Sequence, residues 1–121
     1  MRGHRDLLVW QKAMELVTIV YEVTRKFPKD ELYGLVSQLR RAAVSVPSNI
    51  AEGYCRNSRN EFHHFLGQAR GSLAELETQI EIANNLGYLS GQNATDLLSR
   101  SNRVARMLTG LRDWSGRKAA S

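Results

Sequence analysis

The sequence predicts an all-α protein, an antiparallel up-down-up-down four-helix bundle. Four segments repeat apolar residues at the alternating three- and four-residue spacing of a helix with one buried face. Only two prolines interrupt the 121 residues. Short connections near 28–30, 54–57 and 87–90 make sequential helices antiparallel neighbours. The length suits one domain, 1–121, and the 42% hydrophobic and 24% charged residues are a globular composition.

The first helix is expected over about 8–26, with Val9, Ala13, Leu16, Val20, Val23 and Phe27 inward and Trp10, Val17 and Tyr21 widening the stripe. Asp6 stands at its N-cap, and Pro28 blocks its continuation. The second spans about 31–53, with Leu35, Leu39, Ala42, Ala43, Val46 and Ile50 inward and Gly53 as C-cap. Pro47 removes one backbone bond and is expected to bend this helix near Ala43 without ending it, because the stripe resumes in phase at Ile50. The third spans about 58–86. Ser58-Arg59-Asn60-Glu61 forms a capping box, and Phe62, Leu66, Ala69, Leu73, Leu76, Ile80 and Ala83 follow. Gly71 and Ser72 interrupt it; a mid-helix glycine costs about 1 kcal/mol relative to alanine, so close helix packing is the expected compensation. The fourth spans about 91–114, with Ala94, Leu97, Ser101, Val104, Leu108 and Leu111 inward, and leaves 115–121 as a frayed basic tail.

The single Cys55 cannot form an intramolecular disulfide, and no secretory segment precedes the first helix, so a cytoplasmic setting is expected. No apolar run approaches the roughly 18 residues of a membrane span, so no membrane partner is expected. The net charge of +5 is unevenly spread: residues 71–99 hold four acids and no Lys or Arg, whereas 100–121 hold six bases and one acid. Such a distribution fits a nucleic-acid footprint, or two faces that meet each other.

Several ordered segments resemble the four-helix-bundle proteins encoded in intervening sequences of bacterial large-subunit ribosomal RNA genes. They are Leu8-Val9-Trp10-Gln11-Lys12-Ala13, the run from Gln38 to Gly53, Glu61-Phe62, Phe65-Leu66, Gly71 to Glu77, and Asn85-Leu86-Gly87-Tyr88-Leu89. The resemblance covers about 6–115; Cys55 departs from it, where glycine is expected. It implies a bundle that assembles into a ring-like pentamer. A related branch, the accessory proteins of diversity-generating retroelements, is basic and pentameric and associates with a reverse transcriptase and nucleic acid, which supplies a functional analogy.

Arg41, Ser45, Ser48 and Glu52 align on the second helix opposite Leu39, Val46 and Ile50, flanked by Gln38 and Asn49. Periodicity alone describes a solvated face. Membership of the signature segment makes these six the expected subunit interface. The expected nucleic-acid contacts are Arg56, Arg59, Arg103, Arg106, Arg112, Arg117 and Lys118. Thirteen arginines against four lysines suit phosphate forks and interface ion pairs alike. A tight hairpin of the last two helices would also allow Glu77–Arg100 and Glu75–Arg103 ion pairs on the surface.

Glu61 and His64 form one Glu-x-x-His unit, but a di-iron bundle needs two such units and two further inward glutamates, so no metal or other cofactor is expected. Arg59 and His64 also match the Arg-x4-His pattern of the HEPN ribonucleases, a short pattern in a segment that a capped helix start already accounts for. Trp10 and Tyr21 could stack on bases, although their place beside the apolar stripe suits core or interface. The expected function is therefore a non-catalytic homo-oligomer, pentameric by the resemblance, that binds RNA or DNA or scaffolds a nucleic-acid enzyme. The alternatives are a protein-only assembly module and a HEPN-like metal-independent ribonuclease.

Overall fold

A computed structural model describes residues 3–120, with side chains as far as Gly116. Four helices make up the described fold: α1 (Leu8–Thr24), α2 (Leu35–Tyr54), α3 (Arg59–Asn85) and α4 (Gly91–Ala120). Each packs on its two neighbours in a closed ring, α1 on α2, α2 on α3, α3 on α4 and α4 back on α1, with the α2–α3 contact the broadest. The core lies where the four predicted stripes converge. Leu16, Leu39, Ile50, Leu66, Leu76, Ile80, Leu97 and Leu108 are essentially inaccessible to solvent. Burial of each such side chain contributes about 1.5–3 kcal/mol.

Helix ends depart from expectation where local hydrogen bonds intervene. Asp6 belongs to a 3-10 turn, His4–Asp6, so Leu7 rather than Asp6 occupies the cap position of α1. Two residues earlier than expected, α1 ends at Thr24: the amides of Arg25, Lys26 and Phe27 reach back only three residues, tightening the chain ahead of Pro28. Thr24 is buried there and Val23 only half-buried, because the Thr24 hydroxyl satisfies itself by donating to the Val20 carbonyl at 2.7 Å.

α2 begins at Leu35, not 31. A 3-10 turn at Lys29–Glu31 precedes it, and the Glu31 carboxylate accepts from the Leu35 amide at 3.1 Å, capping the helix from four residues upstream. The helix then runs unbroken through Pro47, and Ile50 is fully buried in phase with the stripe. Gly53 is not its C-cap. It is buried within the last turn, where an added Cβ would come within 2.6 Å of Phe65 Cβ, so the absent side chain lets α2 and α3 approach. Cys55 caps α2 in ordinary right-handed helical conformation, which any residue adopts in the place expected for glycine.

Half of the predicted capping box forms: the Ser58 hydroxyl accepts from the Glu61 amide at 3.2 Å, whereas the Glu61 carboxylate turns to Arg56 at 3.4 Å instead of to the Ser58 amide. α3 closes in a Schellman motif. Gly87 (φ 77°) lets the Tyr88 amide reach the Ala83 carbonyl at 2.9 Å and its own amide reach Asn84 at 3.0 Å. Gly71 is exposed with open space about it, so nothing among the described residues compensates its helix cost by packing; the buried residue of that pair is Ser72.

α4 does not fade at 114 but extends to Ala120. Ser115 is fully buried, and His63 Nδ1 lies 3.0 Å from its hydroxyl and 2.9 Å from the Arg112 carbonyl, which ties the expected tail to the first turns of α3. Gly116 packs against the His63 ring, leaving no room for a Cβ. No helix among the described residues is long and apolar enough to cross a membrane.

Candidate functional site

The polar row of α2 divides in two. Ser45 turns toward α3 and Asn49 bonds back to it within α2: the Ser45 hydroxyl lies 2.8 Å from that of Ser72, and the Asn49 amide donates to the Ser45 carbonyl at 2.9 Å and hydroxyl at 3.0 Å. Gln38, Arg41, Ser48 and Glu52 remain exposed, with Glu52 paired to Arg56 at 2.8 Å. Two of the six side chains therefore hold this chain together, and four are presented outward.

Beside that row runs an apolar seam, of which the helix pattern reaches only Trp10, Val17 and Tyr21. Between α1 and α2 lie two grooves, of about 610 Å³ and 290 Å³, which share Val44. Tyr21, Leu32, Tyr33, Val36 and Val44 line the larger; Trp10, Met14, Val17, Val44 and Pro47 line the smaller. Tyr33 is 93% exposed and Leu32 48%, with Met14, Tyr21 and Val44 all near 40%. Arg40 closes one end, donating from Nε to the Thr24 hydroxyl at 3.0 Å while its guanidinium covers the Tyr21 ring at 4.5 Å. Leu32 and Tyr33 escape a helix-based expectation because the turn before Leu35 takes them off the helical wheel.

The arginines fall into three environments. Arg56 is held between Glu52 and Glu61 and lies over the Phe65 ring at 5.2 Å. Arg112 is half-buried, its guanidinium lying on the surface of α3 at Gly67, where an added Cβ would come within 2.9 Å of Nε. Arg59, Arg103 and Arg106 are exposed and make no ion pair among the described residues. Arg59 stacks on Trp114 at 3.9 Å, which joins the start of α3 to the end of α4. The Arg117 and Lys118 side chains lie outside the described residues. Arg100 pairs with Asp96 at 3.0 Å and Glu15 at 3.8 Å rather than with Glu77, because its side of α4 faces α1; Arg103 borders Lys12 and Glu15 on the same side instead of pairing with Glu75. Partial burial, and secondarily the nearby Glu81, hold the Glu77 carboxyl above the usual carboxylate range.

A small pocket of about 280 Å³ opens where the α2–α3 turn meets α4, lined by Tyr54, Arg56, Asn57, Arg59, Phe62 and Trp114 among others. Arg59 and His64, the two residues of the ribonuclease-like pattern, do not converge. Five positions apart on a helix they point about 140° away from each other. Arg59 is engaged by Trp114, whereas His64 meets Gln68 at 3.0 Å and the edge of Phe65. No cluster of three or more His, Cys, Asp or Glu side chains able to hold a metal ion occurs among the described residues.

The model of the 23S rRNA-intervening sequence protein family matches residues 5–110. The chain belongs to that family. The match takes in the whole apolar seam, Arg59, Arg103 and Arg106, and stops before Arg112 and Trp114. The fold is similar to that of a protein of unknown function from the S23 ribosomal protein family of Bacteroides thetaiotaomicron, with a TM-score of 0.79 at 21% identity, over 87% of this chain and 98% of the other. No curated protein matches the chain.

Proposed function

We propose that this member of the 23S rRNA-intervening sequence family is a non-catalytic, self-assembling bundle that offers basic surface to RNA or DNA. The observation that carries the assembly is the seam between α1 and α2. Met14, Tyr21, Leu32, Tyr33 and Val44 form a run of exposed apolar surface bordered by the polar Arg41 and Ser48, the composition of a protein–protein contact with a polar rim. A second copy is the occupant that the family resemblance supports, in a ring-like pentamer. Light scattering on the purified protein tests this: a mass near five chains is expected, and a monomer at tens of micromolar would remove the assembly half of the proposal.

The nucleic-acid half rests on Arg59, Arg103 and Arg106, exposed cations with no acid paired to them among the described residues. Backbone binding of this kind releases counterions, so affinity for generic RNA or DNA should fall steeply from low to moderate salt. Absence of binding at low salt would leave the protein-only assembly module as the function. The divergence of Arg59 and His64 argues against a HEPN-like ribonuclease. RNA cleavage abolished by His64→Ala would reinstate it.

A further inference from the structure

We infer that the pocket between the α2–α3 turn and the end of α4 is a nucleotide site, which takes one unpaired base and its phosphate from a single strand. The inference rests on the nucleic-acid half of the function proposed above and gives it a location. Three aromatic side chains line this pocket of about 280 Å³: Tyr54 and Phe62 from α2 and α3, packed edge to face at 6.0 Å, and Trp114 from α4, which stays 39% exposed. Surfaces of this kind hold a base by its π-face, which every base has.

The phosphate partner is Arg59. Its guanidinium is fixed by stacking on Trp114 at 3.9 Å yet meets no carboxylate among the described residues, so its forked donors are directed and available. Asn57 on the rim supplies both a donor and an acceptor for a base edge. Arg56, in contrast, is already held by Glu52 and Glu61 and serves as wall. Among the described residues an acidic peptide would find one available cation here, with the Glu52 and Glu61 carboxylates close by, and would have no use for the aromatic lining. A duplex keeps its bases stacked inside and cannot present one to a pocket of this size. A single strand satisfies both the aromatic surface and the cation.

Fluorescence anisotropy at low salt, with labelled dodecauridylate and a duplex of equal length, tests the site in the full-length protein. Trp114→Leu and Arg59→Gln should each weaken single-strand binding about tenfold or more, while Trp114→Phe, which keeps a stacking face, retains most of it. Duplex binding should be insensitive to Trp114→Leu. A wild-type strand carrying 4-thiouridine should photocrosslink to Tyr54 or Trp114. Circular dichroism melting identifies any variant that has lost its fold, and the crosslink on the unaltered protein remains decisive if one has. Wild-type binding that survives both Trp114→Leu and Arg59→Gln, with crosslinks elsewhere, overturns the pocket and leaves the nucleic-acid proposal standing. Failure of the wild type to bind either strand overturns both.

Discussion

The hydroxyls of Ser45 and Ser72 meet at 2.8 Å across the α2–α3 contact. Ser72 is buried, and Asn49 completes the node by donating to Ser45. The node lies in the broadest helix contact of the bundle and fixes the register of two helices that apolar packing alone would hold less specifically. Ser72→Ala should cost about 0.5–1.5 kcal/mol in urea unfolding. Ser45→Ala, which removes a partner from both Ser72 and Asn49, should cost more than Ser72→Ala.

Two glycines should respond in opposite directions to the same substitution. At Gly53 a methyl group would lie 2.6 Å from Phe65 Cβ, an atom fixed to the backbone, so α2 and α3 must separate. Gly53→Ala should destabilise the fold by about 1–3 kcal/mol. Gly71 has open space around it, and Gly71→Ala should stabilise by up to about 1 kcal/mol through helix propensity. Paired thermal melts check both signs.

Glu77 gives the pH dependence. Partial burial, then Glu81, raise its folded-state pKa above the unfolded value. Its contribution to stability is therefore complete below the unfolded carboxylate range and is lost as pH rises through the folded pKa. Glu77→Gln should raise the melting temperature at pH 7 and give no gain at pH 3. The side chain is only half-buried and solvent still screens it, so the gain should stay below about 1 kcal/mol. A larger gain at pH 3 than at pH 7 would contradict a raised Glu77 pKa.

How much was legible in the sequence varies with the kind of interaction. Core positions such as Leu39, Ile50, Leu76 and Leu108 follow from a period that depends on helix geometry alone. The Ser58 cap follows from a local rule spanning four residues. Features set by distant partners were not legible. Gly53 reads as a helix end until Phe65 is seen against it, and the 115–116 segment reads as tail until His63 is seen holding Ser115. Ser45 reads as outer face, yet Ser72, 27 positions away, draws it toward α3. At the candidate surfaces, residue types indicated which side chains could bind, but not their neighbours. Arg56 and Arg59 stand three positions apart, and only the fold assigns one to carboxylates and the other to Trp114. Tyr33 escaped altogether, because the Glu31 cap delays α2 and leaves the ring outside the helix.

Sedimentation velocity on two charge-insertion variants tests the central proposal, that the α1/α2 seam is the assembly face. Val44→Arg places a cation where the two grooves meet, whereas Ile82→Arg places one on an exposed apolar position of α3, outside the seam. The expected result is a wild-type oligomer that Val44→Arg dissociates to folded monomer and Ile82→Arg leaves intact. An oligomer that survives Val44→Arg, or one that Ile82→Arg alone breaks, would contradict the assignment.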